Sequence, residues 1–358
     1  MTRVLTLLLG LSALDLLLAR VVRRRSQILS QKSPRVAQAG WNELGNPFDA
    51  AATDGLPPDH RKLAEGREGF KRLIRTRSSG QGFRTHRNFA SPTLNVVDGL
   101  RLTVATPPKT SNTVYVLGGS TVFNLHTSDD DTICSELQRR LNETARCWAV
   151  KNFGLMGATT QDRVRHFRNA VISRNLLARG DCVFILAGVN DSTVLARLDR
   201  KSVSDLALQA IRRLVLYVQS RSITGALLRV LLDRALRQRL LKRFHTDLFT
   251  PLRDLRDELL PSGVHLLVIL QPCAVDLRSP QTSEIQRLLG YDLFQTLLEG
   301  RRLIYSNLAE EPWFCDARRV FDLTSEAVYV DWAHTNQAGN ELLAAFLFRE
   351  WRRLTDVV

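Results

Sequence analysis

From Thr113 onward the chain alternates short, unbroken apolar runs with stretches whose apolar residues recur at helical spacing. Val114 to Leu117, Cys147 to Val150, Asp181 to Leu186 and Val264 to Leu270 are the apolar runs, the last stopped by Pro272. Runs of this length, bounded by turn residues, predict strands. Thr132 to Asn142, Gln161 to Arg174 and Gln337 to about Arg352 carry the helical spacing. Asp129-Asp130-Asp131 precedes the first of them and reads as a solvated helix start, where acids are favoured. Strands that are apolar throughout and alternate with helices predict an α/β domain with a mostly parallel sheet covered on both faces. Upstream, Asp98-Gly99 follows Thr-Leu-Asn-Val-Val and predicts a tight hairpin.

The pattern divides the chain into three parts. Residues 1–25 predict an N-terminal membrane-anchor helix: Val4 to Val22 is dense in leucine and ends at Arg23-Arg24-Arg25. About 20 apolar residues are needed to cross a bilayer. Asp15 and Arg20 interrupt the run, so a surface-lying amphipathic helix is the alternative. Residues 26–95 are polar, with scattered Pro, Gly and Ser, and read as a linker and lead-in. Residues 96–358 hold the α/β domain, interrupted at about 195–260 by a helical insert with many arginines, among them Arg212, Arg213, Arg229 and Arg234. A pair of amphipathic helices packing on the domain, with a solvated basic face, accounts for that insert. A cationic surface turned toward anionic lipid or an acidic polysaccharide is the sharper reading.

The chain has 358 residues, is 44% hydrophobic and carries a formal net charge of +14. So basic a balance suits an anionic surface or polymer, but no helix, finger or RNA-binding signature accompanies it, and nucleic acid is set aside as a partner. The five cysteines lack CxxC spacing and a paired histidine pattern, which argues against a metal site. Cys182 and Cys273 sit in apolar runs as small buried hydrophobes. An odd count argues against a full disulfide framework, although Cys134 and Cys147 could pair in an oxidising compartment. The arginines after residue 19 outweigh Arg3, which by the positive-inside rule keeps the domain cytoplasmic. Envelope chemistry would use the opposite side. The expected location is a membrane, with the cell envelope favoured and both sides open.

Four short segments carry the chemistry. Ser120 ends Val-Tyr-Val-Leu-Gly-Gly-Ser, Gly157 closes Asn-Phe-Gly-Leu-Met-Gly, Asn190 lies in Ala-Gly-Val-Asn-Asp, and Asp331 and His334 share Asp-Trp-Ala-His. Ser120, Gly157 and Asn190 each follow the carboxyl end of a predicted strand, the rim where open α/β sheets gather ligands. Serine is a weak nucleophile that needs an adjacent base. His334 is the natural base, with Asp331 three residues earlier to orient it. The amides of Ser120 and Gly157 and the side chain of Asn190 are candidate oxyanion donors. Each residue has a bland reading, as a helix cap or turn former; order and strand-end placement favour catalysis. Asp191 reads as a turn-fixing side chain, His126 as a flanking-loop residue, and His166 and His265 as structural.

The segments resemble the SGNH hydrolase superfamily, also called GDSL-type esterases and lipases, whose blocks contribute Ser, Gly, Asn and His in this order. The resemblance covers roughly residues 113–190 and 320–350. Gly119 replaces the family's usual acid before the serine, and Thr121 its leucine. The resemblance implies a flavodoxin-like three-layer α/β/α sandwich and an ester hydrolase using no metal or organic cofactor. Its substrate would be an acylated small molecule, lipid or polysaccharide. An O-acyltransferase for envelope polysaccharide and a catalytically silent glycan- or membrane-binding scaffold are the alternatives, the scaffold resting on the altered first block.

Overall fold

A computed structural model of the chain describes residues 74–76, 84–193, 242, 245–277 and 289–356. The expected anchor, most of the lead-in and most of the basic insert lie outside these residues. Among the described residues, no helix is long and apolar enough to cross a membrane.

Strands β1 (Ile74–Thr76) and β2 (Arg84–His86) pair as an antiparallel ribbon. The main sheet contains β3 (Val96–Val97), β4 (Leu100–Arg101), β5 (Asn112–Gly118), β6 (Trp148–Gly154), β7 (Cys182–Ala187), β8 (His265–Leu270) and β9 (Phe314–Asp316). Its spatial order is β3-β4-β6-β5-β7-β8-β9. The last five in sequence are parallel neighbours, with Val114 opposite Val150 on one side and Cys182 on the other. Their order is the doubly wound, flavodoxin-like one, which reverses direction beside β5 and opens a crevice at the carboxyl ends of β5 and β7. The Asp98-Gly99 hairpin forms as expected and adds β3 and β4 antiparallel to β6. Both turn residues adopt positive φ, 53° and 80°, the geometry a two-residue hairpin requires.

The helices are α1 (Ser120–Phe123), α2 (Ile133–Asn142), α3 (Thr160–Ala170), α4 (Thr250–Leu259), α5 (Tyr291–Leu308) and α6 (Gln337–Thr355). Leu137 and Leu141 of α2 and Leu343, Leu347 and Trp351 of α6 pack on Val114, Val116, Phe184 and Ile269. The alternate residues of the same strands meet the other layer, where Tyr115 stands edge-on to Phe167 of α3 at 5.3 Å. All six residues of β7 are buried. Burial on both faces is the reason these strands carry no polar alternation.

One expectation is corrected in part. The acidic run is a solvated helix start only in part: Asp130 is exposed, but Asp129 is not. Asp129 is buried, accepts from Arg101 Nε at 2.5 Å and from Asn95 Nδ2 at 2.7 Å. Thr132 caps α2 instead, accepting from the Ser135 amide at 3.2 Å. A fully buried guanidinium requires an anion and acceptors for its remaining donors. Arg101 finds these in Asp129 and the carbonyls of Phe123, Asn124 and Thr127. The described carboxyl end of the expected insert is helical and packs on the domain. A π-helical turn, His245–Phe249, and α4 bury Leu248, Phe249, Leu252, Leu255 and Leu259. With α4 packed on α3 and β8, residues 245–260 form part of the connection between β7 and β8. Cys134 and Cys147 are unpaired thiols, one buried in α2 and one exposed before β6.

Candidate active site

The chain leaves β5 through Gly118-Gly119 and turns directly into the one-turn helix α1, which begins at Ser120. The first amides of a helix have no intrahelical partner, so the helix itself does not engage the Ser120 N–H. A Cβ on Gly119 would lie 2.5 Å from Asn190 Nδ2. Without a side chain at Gly119, the Asn190 amide packs directly against the backbone that leads into Ser120. Thr121, in place of leucine, donates its hydroxyl to Gln271 Oε1 at 3.0 Å, joining α1 to the end of β8.

His334 and Asp331 lie in a tight loop between Val328 and Asn336. The loop is closed by the Val330 amide to the His334 carbonyl (2.9 Å) and the Asn336 amide to the Val328 carbonyl (3.1 Å). Asn336, not His334, caps α6, accepting from the Gly339 amide at 3.0 Å. The structure brings three of the expected residues into one chain of contacts. Ser120 Oγ is 2.8 Å from His334 Nε2, and His334 Nδ1 is 2.6 Å from Asp331 Oδ2. Asp331 Oδ1 accepts from the amides of Ala333 and His334, both at 2.7 Å, so the carboxylate is fixed from two sides.

Burial works against both charges, yet the pair prevails. Burial pushes the Asp331 carboxyl upward, but the neighbouring imidazole and its hydrogen bonds hold it at about 2. Burial likewise lowers His334, and the Asp331 charge and hydrogen bond more than offset that, leaving the imidazole above its ordinary value. Both side chains remain about 20% accessible, enough for a small reactant to reach them.

Gly157 follows β6 at φ 67° in a turn closed by the Ala158 amide to the Leu155 carbonyl at 3.1 Å. Glycine occupies that left-handed position without strain. Asn190 lies in the helical turn after β7, and its Nδ2 donates to the Ala158 carbonyl at 2.9 Å. Asp191 fixes the turn, as expected. Its carboxylate accepts from the Gly188 amide (3.2 Å) and from the amide and hydroxyl of Thr160 (2.8 and 3.0 Å).

His126 stands closer to this chemistry than its reading as a flanking residue suggests, edge-on to His334 with ring centroids 4.9 Å apart. With Asp331 and His334 it presents nitrogen and oxygen atoms within 4.8 Å of one another. Both ring nitrogens of His334 already face Ser120 and Asp331, so a cation there would have to displace one of these contacts. His166 is buried in α3 against Phe153, and His265 is half-buried at the start of β8. Sequence reasoning missed His86, whose Nε2 accepts from the Met156 amide at 3.4 Å and whose ring meets Phe123 at 4.3 Å. It also missed Arg163 and the Asn124–Asn340 pair. Nothing in their spacing marks them, because their partners are carbonyls and amides distant in sequence.

No protein-family model and no curated protein sequence matches the chain. Among solved structures, the acetylxylan esterase Axe2 from Geobacillus stearothermophilus is similar, at TM-score 0.40 and 16% identity, over 68% of this chain and 94% of that one. A lipase/acylhydrolase from Enterococcus faecalis is similar at TM-score 0.37 and 17% identity, over 67% and 94%. A GDSL-like lipase from Bacteroides thetaiotaomicron VPI-5482 is similar at TM-score 0.37 and 14% identity, over 70% and 92%. At this level of similarity, function must be read from the site itself.

Proposed function

We propose that this chain is a serine ester hydrolase of the SGNH type, working through an acyl-serine. The observation that carries the reading is the Ser120–His334–Asp331 chain of contacts, 2.8 and 2.6 Å long, beside the Asn190 amide. Ser120 Oγ forms a bond to the ester carbonyl carbon while its proton passes to His334 Nε2. The tetrahedral oxyanion is met by the Ser120 and Gly157 amides and Asn190 Nδ2, donors of which one is worth about 2.7–4 kcal/mol in such sites. Collapse breaks the carbon–alcohol bond, and the alcohol leaves with the proton from His334. Water then adds to the acyl-serine, giving its proton to His334, and release of the acid returns the proton to Ser120. Asp331 stays ionised throughout and stabilises the imidazolium. Side chains of the protein handle every bond and proton in the cycle.

The altered first block leaves the contact between Ser120 and His334 in place, which speaks against reading it as a sign of lost activity. The test is turnover of a short-chain ester and labelling by a fluorophosphonate, both expected to vanish in Ser120→Ala. Labelling retained by that variant overturns the reading. A panel of acetylated oligosaccharides and lipid esters identifies the alcohol, and acetate release measured with and without an oligosaccharide acceptor distinguishes hydrolysis from acyl transfer. Val4 to Val22 would tether the enzyme to a membrane, on the strength of their length and leucine content. Fractionation with and without residues 1–25 tests that tether.

A further inference from the structure

Arg163 projects from α3 into the wall behind the crevice, with its side chain 1% exposed. Its Nη1 donates to the Leu186 carbonyl, near the end of β7, at 2.8 Å. Its Nη2 donates to the Ala158 carbonyl, just after Gly157, at 2.8 Å. The guanidinium therefore cross-links the carboxyl-end segments of two neighbouring parts of the rim. Asp191 lies 3.9 Å away and balances the charge, while its own oxygens are held by Thr160 and Gly188. Burying an arginine costs several kcal/mol unless charge and hydrogen bonds compensate. Two carbonyl acceptors and a nearby carboxylate around one buried cation mark a position the fold specifies.

The Ala158 carbonyl is the informative partner. It accepts from Arg163 Nη2 and from Asn190 Nδ2 at once, at 2.8 and 2.9 Å. A carbonyl is only an acceptor. It can face the nitrogen of the Asn190 amide but not its oxygen, and so it selects which way the amide is turned. One N–H of Nδ2 is then engaged by Ala158, leaving the second for an oxyanion. Arg163 Nη2 also lies 3.2 Å from the position of a Cβ on Gly119, the residue before Ser120. A desolvated cation there acts on developing negative charge through a low-dielectric medium, where such fields are strong.

We infer that Arg163 is a positioning residue for the oxyanion donors: by holding the Ala158 carbonyl it fixes the orientation of the Asn190 amide and the Gly157 turn. The inference rests on the serine-hydrolase reading above. Its test is a double-mutant cycle on the full chain, measuring kcat and KM for a short-chain ester in wild type, Arg163→Met, Asn190→Ala and the double variant. Removing one oxyanion donor typically lowers kcat by about 10²–10³-fold. Arg163→Met, which misaligns rather than removes the donor, is expected to lower kcat about 10–100-fold with KM within about threefold. In the Asn190→Ala background the same change is expected to cost less than about threefold, because the amide it orients is gone. The acid limb of the pH profile, set by His334 and Asp331, should not move.

Arg163→Lys, which retains the charge but lacks the fork, should fall between wild type and Arg163→Met, and it serves as the second variant if Arg163→Met does not fold. Circular dichroism and the melting temperature normalise activity to folded protein. A kcat per folded molecule within twofold of wild type, or a full effect of Arg163→Met in the Asn190→Ala background, overturns the inference. These outcomes with an inactive Ser120→Ala variant leave the hydrolase reading standing. Activity in Ser120→Ala overturns both.

Discussion

Asn124 and Asn340 lie 216 positions apart in the chain and share a buried amide–amide hydrogen bond of 3.1 Å. Asn124, at φ 54°, ends the one-turn helix that begins at Ser120, and its Oδ1 accepts from the Ile133 amide at 3.0 Å. Asn340 lies in α6, where its Oδ1 also accepts from Thr335, the residue after His334, and its Nδ2 also donates to the Asp131 carbonyl at 2.8 Å. One buried network therefore ties the segment that carries Ser120 to the loop that carries His334. The 2.8 Å Ser120–His334 contact depends on the relative position of two segments with no neighbouring sequence in common.

Replacing Asn340 by Ala leaves the Asn124 amide buried without its partner. An unsatisfied buried polar group costs about 1–3 kcal/mol, so the urea midpoint should fall accordingly. Turnover should fall as well, because the two segments are released from each other. An unchanged midpoint would show that the network contributes nothing.

Gly119→Ala tests whether the altered first block is a steric necessity. The backbone at Gly119 is extended, at φ −88° and ψ −150°, a region open to any residue. The new methyl instead meets the Asn190 amide, 2.5 Å away, and turns it from the crevice. Folding should survive with little change in melting temperature, whereas kcat should fall about 10²-fold, the scale of one lost oxyanion donor. Wild-type kcat in this variant would place the Asn190 amide outside the reaction.

The pH profile should carry the mark of the His334–Asp331 pair. The base must be neutral to accept the Ser120 proton, and its pKa lies above the ordinary histidine value of 6.5. Activity should therefore rise with pH through a midpoint above 6.5. In Asp331→Asn only burial remains, and burial lowers the imidazole, so the midpoint should move downward. kcat should drop about 10⁴-fold as the ring loses its orienting carboxylate. A profile with the same midpoint in both proteins would contradict the assignment.

Two buried histidines should make the fold acid-sensitive. Burial lowers His86 to about 3 and His166 to about 4, so both are neutral in the folded protein at mild acidity. In the unfolded chain they take up protons near pH 6.5. The unfolded state then binds more protons than the native one, and stability declines as pH falls from about 6.5 toward 4, at about 1.4 kcal/mol per pH unit for each histidine. Denaturant midpoints between pH 7 and 4.5 measure this slope, and His166→Phe should reduce it. A flat midpoint over that window would exclude the effect.

The α/β class was legible because strands covered on both faces leave long apolar runs, of which Cys182–Ala187, buried at every position, is the clearest. Ser120, Gly157, Asn190, Asp331 and His334 stood out as candidates because each sits in a short segment just beyond a strand or before the last helix, and the fold brings Ser120, His334 and Asp331 into contact. Asp129 was misread because acid before a helix is ordinarily a solvated charge. Only the fold reveals that a buried Arg101 stands opposite it. The leucine spacing of residues 250–259 predicted an amphipathic helix packing on the domain, and its apolar face, Leu252, Leu255 and Leu259, is buried.

Periodicity and local order, which act over a few residues, thus determined by themselves the layered architecture and the chemistry available at the rim. The order of strands, the reversal beside β5 and the convergence of Ser120, Asn190 and His334 were decided by tertiary structure. So were the close approach of Asn190 to Gly119 and the buried positions of Arg163, Arg101 and Asn340. Each depends on groups brought together from distant parts of the chain. A desolvated polar atom must be satisfied by whatever acceptor or donor the fold places beside it, and that partner cannot be read from the residues adjacent in sequence.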